Sequence, residues 1–143
     1  MLSVSYNWVM SLKLSTEHLR QMDAHCRDHA PEEACGILAG RDETVVSVHP
    51  AENVLHSNYA YEVDPQDQIR IFNEIYDRDL DDIAYFHSHP VSEPFPSPTD
   101  VRQVHIGRIR LVILSLRGPD PEARSFWVGD GEIEEEEIEV VEG

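Results

Sequence analysis

The chain has 143 residues, of which 41% are hydrophobic and 27% charged, and its formal net charge is −17. This length is typical of one domain, which buries roughly two thirds of its unfolded surface. Because so acidic a surface repels phosphate groups, and because no run of about 18 apolar residues is present, neither nucleic acid nor a membrane is expected as a partner.

The beginning of the chain lacks the basic-then-apolar order of a signal sequence, so a cytoplasmic protein is expected. Residues 1–10 contain no Lys or Arg and are interpreted as a disordered or strand-like lead that precedes a domain over residues 11–143. The two cysteines, Cys26 and Cys35, are too few for a disulfide framework, and both fall in apolar segments. Both are therefore expected to be buried thiols.

The predicted domain begins with a strand and a helix. Residues 12–14 predict a short strand, and the hydroxyl of Ser15 or Thr16 can cap the helix that follows. Apolar residues then recur at three- and four-residue spacing, which predicts a helix with one buried face that ends near His29.

A hairpin follows this helix. Residues 34–39 are small and apolar, which is typical of a strand buried on both faces, and a Gly-Arg-Asp turn leads into a second strand over residues 44–48. After a polar connection, residues 59–63 alternate between apolar and polar side chains and predict another strand.

A second helix is predicted from Asp64 and Pro65, which form a typical helix start. The helix is expected to continue to about residue 80. Its apolar stripe, expected to lie in the core, consists of Ile69, Phe72 and Tyr76.

The next strand introduces a pair of histidines. Residues 82–86 form a short apolar run beside acidic residues and predict a buried strand. Because side chains alternate along a strand, His87 and His89 are expected to leave it on the same side. Two imidazoles so placed can bind one metal ion, although a His-x-His pair also occurs on ordinary protein surfaces.

A helix start lies eleven residues after the first histidine of this pair. Ser97 is suited to be the N-cap and Pro98 the first helical residue, which places Asp100 in the first turn. If this helix folds back over the strand end, the Asp100 carboxylate meets the two imidazoles. Ser-Pro-x-Asp alone is an ordinary helix cap. Together with the histidines it completes the ligand set of a catalytic zinc site, with two His, one carboxylate and one open position.

The last third of the chain is rich in strands. Residues 111–116 are nearly continuous Leu, Val and Ile and predict a central strand, and residues 124–128 predict a further one. The tail over residues 134–142 alternates Ile and Val with Glu and is interpreted as an edge strand whose charges discourage aggregation. Strands mixed with three helices, without a strict βαβ repeat, predict a three-layer mixed sheet.

At these residues the chain resembles a known family. His-Ser-His-Pro at residues 87–90, six further residues, and Ser-Pro-Thr-Asp at residues 97–100 resemble the JAMM motif of the Jab/MPN+ (Mov34-type) metalloproteases. The motif of that family also includes an upstream Glu in a Glu-x-x-Gly context, which Glu33 supplies. The resemblance extends over residues 12–130 and is strongest to the small bacterial Mec-type members.

The resemblance implies a fold and a site. The fold is a single α/β (α+β) Jab/MPN domain of three layers, in which helices flank a mixed central sheet, similar to that of the cytidine deaminases. The implied site binds one Zn²⁺ per chain through His87, His89 and Asp100. Glu33 is implied as the proton acceptor and Ser97 as a hydrogen-bond donor to the developing oxyanion, although Ser97 can instead be only an N-cap.

The resemblance also implies a function, namely hydrolysis of the amide bond after the C-terminal diglycine of a ubiquitin-like sulfur-carrier protein, with release of cysteine or a short extension. Three alternatives remain: an isopeptidase of the deubiquitinase kind, a general small metallopeptidase, and a non-catalytic MPN scaffold. A chain this short has little room for the inserted segments with which larger family members hold a second ubiquitin. The sequence does not distinguish a monomer from a homodimer.

Overall fold

The structure is a computed structural model that describes residues 2–105 and 107–143. These residues form seven strands and three helices. In chain order they are β1 (Ser3–Ser15), α1 (Thr16–His29), β2 (Cys35–Arg41), β3 (Thr44–Ala51), α2 (Pro65–Asp77), β4 (Asp81–His89), α3 (Pro98–Arg102), β5 (Arg108–Ser115), β6 (Glu122–Gly129) and β7 (Glu132–Val141). No helix within these residues is long and apolar enough to cross a bilayer.

The strands form one mixed sheet in the order β1-β3-β2-β4-β5-β6-β7, and β7 pairs back onto β1 to close a barrel. The β4/β5 and β1/β7 pairs are parallel, whereas β2/β3, β2/β4, β5/β6 and β6/β7 are antiparallel. The predicted mixed sheet with three helices is therefore confirmed.

The two long helices cover opposite faces of β2 and β4. Met22 and Cys26 of α1 pack with Leu38 in one cluster, and Ile71 and Ile75 of α2 belong to a second cluster that contains neighbouring β2 residues. Because consecutive residues of a strand point to opposite faces, β2 is buried on both sides by this arrangement. The predicted three-layer packing follows from it.

The cap of α1 is formed as expected. The Ser15 hydroxyl accepts a hydrogen bond from His18 N at 3.0 Å, and His18 Nδ1 accepts one from Ser15 N at 3.2 Å. These two contacts satisfy backbone N–H groups that a helix start would otherwise leave without partners. The helix ends at His29, where the sequence predicts its end.

The predicted apolar stripe of α2 is wrong at Ile69 and Tyr76, whereas Phe72 packs partly buried against the core. Ile69 and Tyr76 are 64% and 59% exposed, whereas Ile71 and Ile75 are fully buried. Apolar residues occupy more than one face of this helix, so their periodicity is compatible with two orientations. The side that is buried is decided by the fit against the sheet.

Both ends of the chain differ from the sequence expectations. β1 begins at Ser3, well before the strand predicted over residues 12–14, which agrees with a strand-like lead; Met1 lies outside the described residues. The tail is not an edge strand, because β7 pairs with β6 on one side and with β1 on the other. One tail carboxylate, Glu136, is buried and forms an ion pair with Arg110 at 2.7 Å.

The strand predicted over residues 59–63 is also wrong, since this segment forms only an isolated bridge between Val63 and Asn53. The side chain of Asn53, which is buried, bonds to the backbone of the connection instead. Its Nδ2 donates to Ala60 O at 3.0 Å, and its Oδ1 accepts from Glu62 N at 3.1 Å. These contacts replace the ladder of a neighbouring strand.

Candidate metal centre

The histidine pair lies at the carboxyl end of β4. Both side chains are buried, with 0% of His87 and 4% of His89 exposed. Their Nε2 atoms are 3.2 Å apart. β4 pairs with β5 as far as His89 and with β2 as far as His87, so neighbouring strands hold the backbone that carries both rings. The two imidazoles therefore converge, as the strand alternation predicts.

The first turn of α3 brings Asp100 to the same point. Asp100 Oδ1 lies 3.0 Å from His87 Nε2, and Oδ2 lies 3.0 Å from His89 Nε2. The turn is fixed by a capping box, in which Ser97 Oγ accepts from Asp100 N at 3.0 Å and Asp100 Oδ2 accepts from Ser97 N at 2.9 Å. The cap and the site thus share one carboxylate.

These three side chains fit a divalent metal ion. One nitrogen of each histidine and a carboxylate oxygen of Asp100 lie within 4.8 Å of one another, and all three residues are buried. His89 Nδ1 lies 2.9 Å from the Glu93 carbonyl oxygen, which can only accept, so Nδ1 carries the proton and the Nε2 lone pair is available to a metal. A set of two imidazoles and one carboxylate is the donor chemistry of catalytic zinc sites.

The charge states of Asp100 and His87 also suit a cation. Burial alone would raise the pKa of Asp100, but His87, His89 and the Ser97 backbone N–H hold it well below its ordinary value. Burial lowers the pKa of His87, which favours the neutral imidazole that binds metals. The centre therefore offers a carboxylate and an uncharged His87 ring near pH 7.

Glu33 is held beside these ligands by backbone contacts of the loop before β2. The Glu33 N–H donates to Ser57 O at 2.8 Å, and the carbonyl of Glu33 accepts from Asn53 Nδ2 at 2.8 Å. The next residue, Ala34, donates its N–H to Ser88 Oγ at 2.9 Å and accepts from Ser88 N at 3.0 Å. The serine between the two histidines thus attaches this loop to β4.

The Glu33 carboxyl group is suited to take up a proton. It is only 4% exposed, and its Oε1 has no hydrogen-bond partner among the described residues. Burial, together with the negative charge of Asp100, raises the pKa of Glu33 to about 8. A carboxyl group whose pKa lies near neutrality can both accept and return a proton.

Glu33 is expected to lower the stability of the metal-free protein as the pH rises from about 4.5 to about 8. Over this window folded Glu33 holds a proton that the unfolded chain, with the ordinary pKa of 4.5, has released, so unfolding becomes easier as pH rises. Glu33→Gln removes this contribution. In urea unfolding with a chelator present, the variant should match the wild type near pH 4 and exceed it by up to about 5 kcal/mol above pH 8. A difference that does not change with pH would contradict the assigned burial of this carboxyl.

Residues at the centre line two cavities. Asp100 lines a cavity of about 410 Å³ together with Tyr61 and Gln103. Glu33 lines a cavity of about 400 Å³ together with His56 and Glu52.

Sequence reasoning missed the residues that support the centre. Ser88, Asn53 and Tyr61 contact either the loop of Glu33 or a ligand ring, and none of them was singled out. Ser88 alone had a usable signal, because alternation along a strand points it away from both histidines and towards a neighbouring element. Asn53 lies in a connection without periodicity, and the alternation around Tyr61 predicted a strand that does not form.

A family model described as prokaryotic homologs of the JAB domain matches residues 15–129. A CysO-cysteine peptidase from Mycobacterium tuberculosis is 34% identical over 140 residues, which is 94% of this chain and 94% of the relative. A desampylase from Haloferax volcanii is 38% identical over 96 residues, covering 62% of this chain and 69% of that protein.

Solved structures give a matching fold. The solution structure of a protein from Desulfitobacterium hafniense is similar with a TM-score of 0.87 and 31% identity, and the match covers 94% of each chain. The sequence match and the structural match thus extend over nearly the same share of the chain.

Proposed function

The chain belongs to the family of prokaryotic homologs of the JAB domain, and from this premise we propose that it is a zinc-dependent metallopeptidase. Its proposed substrate is a ubiquitin-like sulfur-carrier protein, cleaved at the amide bond after the C-terminal diglycine. Release of cysteine or a short extension is the reaction that this assignment predicts. A cytoplasmic location belongs to the same proposal.

The observation that carries the proposal is the convergence of His87, His89 and Asp100 beside the buried Glu33 carboxyl. A structural zinc site is closed by four protein ligands, whereas three ligands and an adjacent base are the arrangement of a hydrolase. The non-catalytic scaffold is disfavoured by this arrangement, because a scaffold needs no buried base with a raised pKa.

The residues have distinct roles in the proposed hydrolysis. Zinc, when bound by the two histidines and Asp100, would supply a Lewis acid that polarises the scissile carbonyl and acidifies water. Glu33 accepts the proton of the attacking water and returns it to the leaving amine. Ser97 donates its hydroxyl hydrogen to the oxygen on which negative charge develops.

The cap and the oxyanion role of Ser97 are compatible. The Ser97 oxygen accepts from Asp100 N, so the hydroxyl hydrogen is still available to donate. Ser97→Ala is therefore expected to lower kcat by about 10²–10³ and stability by about 1 kcal/mol. Ser15→Ala is the matched control, since Ser15 caps α1 with the same 3.0 Å contact to the third helical N–H. If Ser97→Ala behaves like Ser15→Ala in both turnover and unfolding, Ser97 is only a cap.

Two relatives support the substrate class. The CysO-cysteine peptidase and the desampylase are named for reactions that release a group from another molecule, and the match to the first covers 94% of this chain. Glu33 and Asp100 are buried and each lines a cavity, and a thin extended tail reaches a buried centre more easily than a bulky side chain does. A diglycine has no side chains and meets this requirement.

The deciding experiment uses the full chain loaded with one equivalent of Zn²⁺ and a ubiquitin-like carrier that ends in diglycine followed by one cysteine. Mass spectrometry is expected to show loss of one residue, blocked by a chelator. The same carrier joined to a lysine side chain tests the isopeptidase alternative, and an unrelated unfolded peptide tests the general peptidase. Bound zinc with no cleavage of any of the three substrates would overturn the proposed function.

A further inference from the structure

The two histidines of the centre are supported differently. The His89 ring is oriented by the contact between its Nδ1 and the Glu93 carbonyl oxygen at 2.9 Å. The Nδ1 atom of His87 is buried, and within residues 2–105 and 107–143 it has no hydrogen-bond partner. Metal-binding histidines usually have such a partner, which fixes the rotation of the ring. The His87 ring must therefore be oriented in another way.

Tyr61 provides a stacking contact at this point. Its ring lies 4.4 Å from the His87 ring, centroid to centroid, with an angle of 22° between the two planes. The His89 ring meets His87 at 5.1 Å but at 65°, so it contacts an edge rather than the ring face. Because Tyr61 lies against the face of His87, rotation of that imidazole out of its plane is blocked.

The tyrosine is itself held firmly. Gln103, which follows α3, donates from Nε2 to the Tyr61 carbonyl oxygen at 2.8 Å. The residues on either side are bonded to one side chain, since Asn53 contacts Ala60 O at 3.0 Å and Glu62 N at 3.1 Å. The segment that carries the ring is thus tied both to the helix of Asp100 and to the loop of Glu33.

We propose that Tyr61 is a positioning residue for the metal centre, and that its ring takes the place of the missing hydrogen bond to His87. The stacked ring keeps His87 Nε2 directed at Asp100 Oδ1, 3.0 Å away. The hydroxyl group of Tyr61 takes no part in this role, because stacking uses only the ring face. The inference rests on the proposed metal centre, and not on the identity of the substrate.

The test measures Zn²⁺ affinity of the full chain by competition with a chromophoric chelator, with no substrate present. Tyr61→Leu is expected to weaken binding by about 10–100-fold, the usual effect of losing support for a metal-binding histidine. Tyr61→Phe keeps the ring and should bind within about twofold of the wild type. Tyr59→Leu is the control, since Tyr59 lies in the same connection and is 78% exposed.

Folding is checked separately by thermal unfolding of each metal-free variant, and Tyr61→Met, which keeps much of the side-chain volume, replaces Tyr61→Leu if the latter does not fold. Wild-type affinity in the variant without a ring would overturn the inference while leaving the metal centre intact. An equal loss in Tyr61→Phe would overturn it as well, because the hydroxyl would then be responsible. If the wild-type chain binds no Zn²⁺, both this inference and the proposed function fail.

Discussion

Glu33→Gln is expected to lower kcat by a factor of about 10²–10⁴ while one metal ion per chain remains bound. The amide of glutamine has nearly the same shape as the carboxyl group but cannot accept a proton at neutral pH. Because Glu33 is not among the three convergent ligands, its replacement should leave the metal affinity close to that of the wild type. Turnover of the carrier–cysteine substrate and metal content by elemental analysis measure the two effects.

The matched control for this prediction is Glu32→Gln. Glu32 lies in the same loop and loses the same charge, but its carboxylate contacts His56 at 3.0 Å rather than the metal centre. Its turnover should be close to that of the wild type. Comparable activity in the two variants would remove Glu33 from the mechanism, and loss of metal from Glu33→Gln would make it a ligand instead of a base.

Asp100→Asn is expected to weaken metal binding by at least about 100-fold and to abolish turnover. Replacing a residue that only supports a ligand usually weakens metal binding by about 10–100-fold. Asp100→Asn should weaken it more, because the variant removes a ligand and the only formal negative charge among the three ligand side chains. Asparagine retains an oxygen that can accept from Ser97 N, so the helix cap is kept. Metal titration at neutral pH, compared with the unfolding of the metal-free forms, separates loss of the metal from loss of the fold.

The control for Asp100→Asn comes from a second group of carboxylates. Glu52, Asp64 and Asp67 also lie within 4.8 Å of one another, but they are partly or fully exposed. Asp64 precedes α2 and makes no capping hydrogen bond with its side chain, so Asp64→Asn changes the same charge with little effect on the fold. Unchanged zinc binding by Asp100→Asn, with loss in Asp64→Asn, would place the metal at the exposed group.

Local patterns in the sequence predicted most of the elements. The helix capped by Ser15, the buried strand over residues 34–39 and the strand that ends in His89 all depend on contacts between near neighbours in the chain. Capping, alternation and apolar periodicity act over a few residues, so they can be recognised without a fold. The mistakes occurred where these signals were weak or allowed two solutions.

The incorrect expectations have a common cause. The tail was interpreted as an edge strand because its glutamates suggested exposure, yet β7 lies between two strands and Glu136 pairs with the buried Arg110. Likewise, α2 carries apolar residues on more than one face, and Ile75 rather than Tyr76 is buried. In each case the partner lies far away in the chain, so no local pattern could identify it.

The candidate site shows the same division. The sequence by itself determined which side chains could bind a metal, because His87, His89 and Asp100 lie within fourteen residues and their spacing follows from a strand and a helix cap. Only the tertiary structure decided what surrounds them. Ser88 attaches the loop of Glu33 to β4 by a hydrogen bond to Ala34, which lies 54 residues earlier in the chain. Tyr61 stacks on His87, although the two residues belong to separate elements. Such contacts arise from packing after the chain has folded, because burial and stacking depend on which segments meet in space and not on their order in the sequence.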